Sequence, residues 1–373
     1  MAIHIKELNI DTFRGIKNLE LKNLGDINLI TGDNNTGKTS VLEIINTLSE
    51  PSELKSWAKL GDKRKLNNIS LYDSFEMLFD INKENKKIQY SIIDRSNNKS
   101  TIEINAESTI IEMQQGEMDK LRNISTTILS DDGLPDYTDE YSSKIVDVNK
   151  YDISFKVNGN TANKDYLLEF QSYLKINKEK KIKPIQNIVY ISPTQHSWSE
   201  VFLSEILDNP SLYEEMLTVL KLFDDGIISI NADNSNNKFS NRPVYKILSK
   251  NNKTAIPLNF YGDGIKKAIL LLSAVVKAKD GILLLDEFEI AIHTSAMNEI
   301  FAWIINTCIR LNVQLFMTSH SEEAVDKILK CSPEIQDKMR LITLYSNEDK
   351  TVARVLDGKK AIKLKDDLGV ELR

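Results

Sequence analysis

The segment that most constrains this chain is a glycine-rich loop, Gly32-Asp33-Asn34-Asn35-Thr36-Gly37-Lys38-Thr39, which fits the pattern G-x-x-x-x-G-K-[ST]. The apolar run 27–30 precedes the loop, and residues 40–45 have the composition of a helix. In this strand, loop, helix context the glycines allow backbone N–H groups to surround a phosphate chain, and the helix presents its positive N-terminal end. The loop therefore predicts an α/β fold that binds a nucleoside triphosphate.

Several side chains of the loop are candidate ligands of that nucleotide. By the pattern, Lys38 reaches the β and γ phosphates and takes part in catalysis, and the Thr39 hydroxyl binds Mg²⁺. ATP and Mg²⁺ are therefore the predicted cofactors. The predicted nucleotide-binding residues of the loop are Asn34, Asn35, Thr36, Gly37, Lys38, Thr39 and Ser40.

A second apolar run, residues 281–285, ends in two adjacent carboxylates, Asp286 and Glu287. In a P-loop protein the first acid of such a pair lies in the Mg²⁺ shell, and the second is free to polarise a water molecule for attack on the γ phosphate. We therefore predict Asp286 as a metal ligand and Glu287 as the catalytic base. Without a P-loop the same pattern is more typical of a strand that meets a solvated turn.

A histidine follows the next apolar run. Residues 313–318 read as a buried strand that delivers His320, and strand order places this histidine beside the Asp286–Glu287 pair. We predict that His320 senses the γ phosphate or orients the attacking water molecule. The alternative is a surface histidine that caps the following helix, a role for which Ser321 is better suited.

A glycine turn opens a long apolar helix at residues 261–272, ten residues before the strand that carries the carboxylates. The turn contains Gly262 and Gly264, and its helix N-terminus suits an anion. By itself this is a weak signal, because many helices begin with a glycine turn. Its order and spacing relative to Asp286 give it weight.

Composition narrows the class of protein. The 373 residues exceed a typical single domain, and the formal charge of −6 argues against a uniformly basic nucleic-acid surface. The two cysteines, Cys308 and Cys331, are far apart and suit a reducing compartment without a zinc site. No charged leader opens the chain and no apolar stretch has the length of a membrane span. We therefore expect a cytoplasmic protein that does not enter a membrane.

The local patterns predict an α/β fold with a mixed core sheet, an antiparallel β lobe and a helical lobe. Alternating runs predict strands at 75–81, 88–93, 101–104 and 151–157, and a buried core strand at 188–191. Helical spacing is found at 201–223, 294–311 and 322–330, and two further strands are expected at 341–344 and 352–356, before a short tail. The predicted segments are 1–50 for the P-loop part of the core, 51–187 for the β lobe with an acidic mobile insertion at 130–140, 188–255 for a core strand, helical lobe and polar loop (231–241), and 256–373 for the rest of the core.

Taken together, these motifs resemble the RecF/SMC-like branch of ABC ATPases, and most closely the stand-alone ATPases related to overcoming-lysogenization-defect (OLD) proteins. The resemblance covers residues 1–50 and 255–325 and implies an ABC-type P-loop NTPase head. It rests on the P-loop and on Asp11-Thr12-Phe13-Arg14-Gly15-Ile16, Gly262-Asp263-Gly264-Ile265-Lys266-Lys267, Leu285-Asp286-Glu287-Phe288-Glu289 and Thr318-Ser319-His320-Ser321.

The resemblance implies a head-to-tail homodimer, or a higher even oligomer, in which ATP is held between the P-loop of one subunit and the signature helix of the other. By position, Gly262 and Gly264 then approach the γ phosphate in trans, Lys266 contributes charge there, and Arg14 lies near the nucleotide. At His293 the glycine and proline that commonly flank the family's histidine are missing, so no role is carried over to it.

The glutamine that helps to hold Mg²⁺ in this family is not fixed by the sequence. Gln195, just after the run that ends at Ile191, and the pair Gln114-Gln115 are candidates. Among these we assign Gln195 as the third metal ligand, beside Thr39 and Asp286.

Three functions remain to be weighed. The leading hypothesis is an ATP-hydrolysing, dimerising switch that controls a separate nuclease or toxin in prokaryotic anti-phage defence, since the segment after His320 is too short for the nuclease domain of OLD proteins. The alternative is a RecF-like repair factor that clamps DNA, for which the basic run 178–183 is the densest positive segment. A scaffold that binds ATP without hydrolysing it is disfavoured by Glu287 and His320.

Overall fold

A computed structural model describes residues 3–62, 70–80, 83–126, 144–171, 182–193, 201–233, 243–290, 292, 294–347 and 350–368. The strands are β1 (Ile5–Phe13), β2 (Ile16–Leu21), β3 (Ile27–Gly32), β4 (Lys86–Asp94), β5 (Lys99–Gln114), β6 (Ile145–Val157), β7 (Asn160–Leu168), β8 (Ile188–Ile191), β9 (Ile227–Asp233), β10 (Val244–Ser249), β11 (Ile256–Pro257), β12 (Ile282–Leu285), β13 (Gln314–Thr318), β14 (Met339–Asn347) and β15 (Lys350–Asp357). The α-helices are α1 (Lys38–Thr47), α2 (Leu54–Asp62), α3 (Leu71–Glu76), α4 (Gln115–Thr126), α5 (Ser204–Leu207), α6 (Pro210–Leu220), α7 (Asp263–Lys277), α8 (Thr294–Arg310), α9 (Glu322–Lys330) and α10 (Gly358–Leu368).

The core sheet has the strand order β15-β14-β3-β13-β12-β8. Its inner strands are parallel and only β15 runs antiparallel, so the predicted mixed sheet is confirmed. Leu285 is in register with Ile191 on one side and with Met317 on the other, and Met317 is in register with Leu29. The carboxyl ends of these four strands therefore meet at one edge of the sheet, where ligands bind in open α/β sheets.

Both faces of the core sheet are covered, which explains why its strands are apolar without alternation. Leu29, Leu283 and Leu315 pack into a cluster with buried residues of α6, α7, α8 and α9. Ile30 and Leu284 face the other way and pack with α1, α2 and the second large sheet. The P-loop strand and the carboxylate strand are thus fixed from both sides.

The second large sheet is antiparallel, with the order β2-β1-β4-β5-β6-β7. The predicted antiparallel strands at 88–93, 101–104 and 151–157 are confirmed as parts of β4, β5 and β6. The sheet also contains β1 and β2, so it draws strands from both sides of residue 50. Trp57 of α2 is fully buried and packs against the rings of Phe13 and Tyr90 at centroid distances of 6.2 Å, which joins α2 to this sheet.

One local prediction in the first half of the chain is wrong. Residues 75–80 are not a strand: Ser70 caps α3 by accepting from the Asp73 N–H, and the rings of Phe75 and Phe79 meet edge to face at 5.2 Å, four residues apart as in a helical turn. The helical spacing predicted at 201–223 is confirmed as the two helices α5 and α6, and Asn209 and Pro210 start α6 as its cap and first residue. The tail after β15 is the helix α10.

A small third sheet, β11-β10-β9, was not predicted. Residues 231–233, expected in a polar loop, form the end of β9, where Asp233 makes an ion pair with Lys246 of the paired strand β10. Polar side chains suit this strand because its outer face is exposed. The rest of the predicted polar loop, the acidic insertion 130–140 and most of the basic run 178–183 lie outside the described residues.

Within the part of the chain that the structure describes, no helix is both long enough and apolar enough to span a bilayer.

Candidate active site

The P-loop connects β3 to α1 and is closely packed at both of its glycines. Gly37, the N-cap of α1, has φ 97°, and a Cβ atom there would lie 2.8 Å from Ile16 Cγ1. Gly32 has φ 135°, and its Cβ would lie 2.4 Å from the Leu344 carbonyl oxygen. Both positions therefore require glycine for backbone conformation and for space. Strands β2 and β14 hold the loop in this shape.

The tip of the loop is exposed, whereas its last residues are buried. Asp33, Asn34 and Asn35 face solvent, and Asn35 adopts a positive φ of 64°. Thr36 is buried and its Oγ1 donates to the Asp33 carbonyl at 2.9 Å. Ser40 is buried within the first turn of α1, a turn without an acidic residue. The positive end of α1 is therefore not neutralised by its own side chains and suits an anion.

Lys38 lies back across the loop. Its Nζ donates to the Gly32 and Asp33 carbonyl oxygens at 2.8 and 2.7 Å, and the residue is 5% exposed. Burial lowers the pKa of Lys38, while the carboxylates of Glu287, Asp33 and Asp286 favour its charged form. The ammonium group is thus held by backbone oxygens on the side of the loop that faces the carboxylates of β12.

Asp286 follows β12 directly and is held by three hydroxyl groups. Its Oδ1 accepts from Thr39 Oγ1 at 3.1 Å and from Thr318 Oγ1 at 2.6 Å, and its Oδ2 accepts from the Tyr190 hydroxyl at 3.1 Å. Asp286 is 3% exposed. The predicted meeting of the P-loop and the carboxylate strand is confirmed at this point. Thr318 and Tyr190 were not predicted; both lie at or next to the carboxyl end of a strand that borders β12.

The oxygen atoms of Thr39 and Asp286 fit a Mg²⁺ ion. Mg²⁺ prefers hard oxygen ligands and is commonly held by one or two carboxylates together with phosphate oxygens and water. Gln195 lies outside the described residues. Of the other candidate glutamines, Gln114 is exposed at the end of β5, and the Gln115 amide donates to Asp119 within α4. Neither Gln114 nor Gln115 belongs to the core sheet.

Glu287 and His320 meet beside Asp286. Glu287 Oε1 lies 3.5 Å from His320 Nε2, and both side chains are partly exposed, at 34% and 39%. Glu287 has a φ of 45°, an uncommon conformation for a residue other than glycine, and its N–H donates to Thr318 Oγ1 at 2.9 Å. Ser321, not His320, caps α9 by accepting from the Ala324 N–H at 3.2 Å. The predicted proximity of Glu287 and His320 is confirmed, and the capping alternative applies to Ser321.

Two charged residues, which lie within the quoted motifs but were given no role from the sequence, border this pair. Glu289 Oε1 accepts from Ser319 Oγ at 2.7 Å and from the His320 N–H at 3.1 Å. Lys267 of α7 is fully buried; burial lowers its pKa to about 8, and the carboxylates of Glu289, Asp286 and Glu287 oppose that shift. No sequence pattern distinguishes Lys267 from its neighbour Lys266, so only the fold reveals which lysine is inside.

The start of α7 is exposed. Gly262 and Asp263 face solvent, no heavy atom lies within 4 Å of a Cβ built on Gly262, and Gly264 is partly exposed. Lys266 Nζ makes a local ion pair with Asp263 at 2.7 Å. The ion pair of Lys266 is therefore local to the first turn of α7.

Arg14 is placed differently from the other predicted ligands. Its Nη1 lies 2.7 Å from Glu43 Oε2 of α1, its Nη2 donates to the Leu60 carbonyl at 3.2 Å, and its side chain is 11% exposed. These contacts join β1 to α1 and α2. They do not direct the guanidinium to the P-loop, so a nucleotide-binding role for Arg14 stays a prediction.

Comparison with known proteins finds similarity along most of the chain. A family model described as "AAA domain, putative AbiEii toxin, Type IV TA system" matches residues 27–326. An ATP/GTP phosphatase of Helicobacter pylori is 25% identical over 393 aligned residues, which cover 95% of this chain and 96% of the relative. An uncharacterized protein of Methanocaldococcus jannaschii is 26% identical over 112 residues, 30% of this chain and 98% of the relative.

The fold also has a counterpart among solved structures. An SMC head, crystallised with the C-winged helix domain of ScpA, superposes with a TM-score of 0.53 at 13% identity and covers 96% of this chain and 99% of the matched chain. At this identity the likeness concerns the fold. The predicted α/β head fold is confirmed.

Proposed function

The chain belongs to this AAA-domain family and is an ATPase of the AAA/ABC type. We propose that it hydrolyses Mg²⁺-bound ATP at a site that is completed by a second copy of the same chain. One observation carries the proposal: the P-loop lysine, the Asp286 carboxylate and the Glu287–His320 pair converge at the carboxyl edge of one parallel sheet. This is the set of groups that phosphoryl transfer to water requires.

The triphosphate binds with its β and γ phosphates at the N-terminus of α1. The backbone N–H groups of 34–39 and the positive end of the helix attract it, and the Lys38 ammonium moves from the loop carbonyls to phosphate oxygens. Thr39 and Asp286 hold Mg²⁺, which neutralises phosphate charge when bound. These side chains bind and orient the nucleotide.

Glu287 acts on the attacking water molecule. Its carboxylate is partly exposed beside His320 and is therefore accessible to water. Glu287 accepts a proton from the water as the water attacks the phosphorus, the bond to the β-phosphate oxygen breaks, and ADP and inorganic phosphate result. His320 orients the water and contacts the γ phosphate.

The second copy supplies the start of α7. Within one chain Gly262 and Asp263 of this turn are exposed, although the turn carries the helix N-terminus expected to contact a phosphate. In a head-to-tail dimer Gly262 and Gly264 of one subunit approach the γ phosphate held by the other, and Lys266 adds positive charge. ATP therefore closes the dimer and hydrolysis reopens it, which is a population shift driven by differential affinity.

The switch is proposed to act on a separate effector in the cytoplasm. The matching family is described as a putative AbiEii toxin of a type IV toxin–antitoxin system, which supports a role in prokaryotic defence. The separate nuclease or toxin rests on the resemblance to OLD-like ATPases. Coexpression with the product of the neighbouring reading frame tests this step: we expect copurification that depends on Mg-ATP. A neighbour that is unrelated to nucleases or toxins, and that never copurifies, would contradict the effector.

Replacement of Glu287 by Gln tests the catalytic centre and the dimer together. We expect ATP turnover to fall by about 100- to 10,000-fold, the range for loss of a general base, while ATP binding is retained. The trapped ATP state should double the mass of the protein in light scattering. Glu299→Gln, the same change on the exposed face of α8, is the matched control.

Two outcomes of that experiment would overturn the proposal separately. Normal turnover by the Glu287→Gln variant would remove Glu287 from the reaction. Full ATP binding at the mass of a single chain would remove the dimer and leave an ATPase that is complete in one polypeptide.

A further inference from the structure

A buried lysine of α7 has no part in the hydrolysis described above. Lys267 lies one turn into the helix whose start is exposed for the second copy, and the residue is 0% exposed. Among the described residues its Nζ has no hydrogen-bond partner and no ion pair. By contrast, Lys266 is partly exposed and pairs with Asp263. A lysine that brings its charge into the core without a partner is rare, because burial of an unpaired charge is costly.

The carboxylate with the strongest effect on this lysine is equally unusual. Glu289 interacts with Lys267 more strongly than Asp286 or Glu287 does. Its Oε2 is buried and, within the described chain, also lacks a hydrogen-bond partner. Its other oxygen is fully used, since Oε1 accepts from Ser319 Oγ and from the His320 N–H. Glu289 therefore holds the loop that carries His320 with one oxygen and leaves the other for an opposite charge.

We propose that Lys267 is a positioning residue that acts through Glu289 on the Ser319–His320 loop and so couples the start of α7 to the catalytic pair. The inference rests on the proposed function, because it assigns to α7 the phosphate of the partner subunit. When that phosphate engages the first turn of α7, the helix shifts and carries the Lys267 ammonium with it. The Glu289 carboxylate is attracted by the ammonium group and moves with it. Because Glu289 accepts hydrogen bonds from Ser319 and His320, the Ser319–His320 loop moves as well.

This movement changes the geometry of the Glu287–His320 pair, which acts on the attacking water molecule. The His320 N–H and the Ser319 hydroxyl share one oxygen of Glu289, and the His320 ring lies 3.5 Å from Glu287. A small displacement of Glu289 therefore changes the distance between His320 and Glu287. Hydrolysis then becomes sensitive to whether the second copy is docked, although Lys267 itself touches neither nucleotide nor water.

Stability and turnover separate this role from simple packing. Burial of a charge that lacks a hydrogen-bond partner is costly, and an apolar side chain of similar volume at the position of Lys267 removes that cost. In Lys267→Met we therefore expect unchanged or higher thermal stability. Loss of a residue that orients catalytic groups typically lowers activity 10- to 100-fold, so kcat should fall by about that factor while KM for ATP stays the same. A lysine kept only for packing would not give this opposite response.

Glu289→Gln and a matched control complete the experiment. The glutamine oxygen can still accept from Ser319 and His320, so this variant removes only the charge that faces Lys267. Its kcat should fall about as far as that of Lys267→Met, and the double variant should be no slower than the slower single one. Lys277→Gln removes an exposed charge from the other end of α7 and should retain normal kcat.

Three results would overturn the coupling: normal kcat in Lys267→Met, parallel losses of stability and kcat in that variant, or additive losses in the double variant. Dimer formation is measured independently, as the ATP-dependent mass of Glu287→Gln. If Glu287→Gln forms the dimer and Lys267→Met has normal kcat, only the coupling through Lys267 is contradicted, and the proposed function stands. Absence of the dimer sinks the proposed trans site, whatever the kcat values show.

Discussion

Two buried lysines approach the same carboxylates from opposite sides, and their environments differ. Lys38, on the P-loop side, is held by two backbone carbonyl oxygens at 2.7 and 2.8 Å. Lys267, on the α7 side, has no hydrogen-bond partner among the described residues, and the charges of Glu289, Asp286 and Glu287 act on it. Backbone oxygens fix a position, whereas charges alone allow movement over a larger distance. We therefore expect the P-loop side to bind the phosphates and the α7 side to respond to docking of the second copy.

The Lys38→Met variant gives the strongest test of the difference between the two lysines. Loss of a positioned charge at a transferring phosphate costs about 100- to 1,000-fold in kcat, and we also expect weaker ATP binding. The corresponding Lys267→Met variant should bind ATP normally. Titration with a fluorescent ATP analogue and initial-rate assays measure the two quantities. Equal losses of affinity in both variants would show that the two lysines serve the same purpose.

Alanine variants of two glycines, one on each side of the site, compare how tightly the two turns are packed. Gly37→Ala places a Cβ at φ 97° and 2.8 Å from Ile16, so we expect a loss of about 1–3 kcal/mol in the free energy of unfolding. Gly262→Ala meets open space and should cost less than about 1 kcal/mol. Denaturant unfolding gives both values.

The same pair separates binding from assembly. In a Glu287→Gln background, Gly262→Ala should reduce the ATP-dependent dimer, because the added methyl group lies where the phosphate of the partner subunit is expected. A stable Gly37→Ala variant, or an unaltered dimer in the Gly262→Ala variant, would contradict the respective assignment.

The pH dependence of stability distinguishes the two sides further. The pKa of Lys267 is lowered by burial to about 8 from an ordinary value of 10.5. Between these two values the unfolded chain binds more protons at this side chain than the folded chain does. The unfolding free energy of the wild type should therefore rise with pH relative to Lys267→Met, by about 1 kcal/mol per pH unit at most. Below pH 8 the difference should be constant. A flat difference from pH 7 to 10.5 would show that Lys267 is not in the buried environment described.

The smallest effect is expected at Ser321. It caps α9, so Ser321→Ala should cost about 1 kcal/mol of stability. Its side chain does not hold His320, because the Ser319 hydroxyl and the His320 N–H are bonded to Glu289. Turnover should therefore change little. A large loss of kcat in Ser321→Ala would shift the control of His320 from Glu289 to the helix cap.

The sequence predicted the half of the site that depends on backbone motifs. The P-loop, Asp286, Glu287 and His320 each follow an apolar strand, and parallel strands bring their carboxyl ends together, so their meeting was foreseeable. The strands around them were predicted for the same reason: residues buried on both faces give continuous apolar runs.

The other half depends on tertiary contacts that no local pattern reports. Tyr190 and Lys267 reach the carboxylates because neighbouring elements pack there, and nothing at either position differs from an ordinary strand or helix residue. Residues 75–80 alternate like a strand, yet the cap at Ser70 and the Phe75–Phe79 contact favour a helical turn. The division into four segments, the role of Arg14 and the metal-binding glutamine remain predictions.

A mixing experiment tests the central claim, that α7 of one chain completes the site of another. Lys38→Met disables the P-loop and leaves α7 intact; Gly262→Glu leaves the P-loop intact and places a negative charge where phosphate should bind, in space that is open in the single chain. Each variant alone should be inactive. An equimolar mixture should recover about a quarter of wild-type ATP turnover, because half of the dimers are mixed and one of their two sites is intact. A mixture as inactive as its components, or a Gly262→Glu variant that is fully active alone, would contradict the claim.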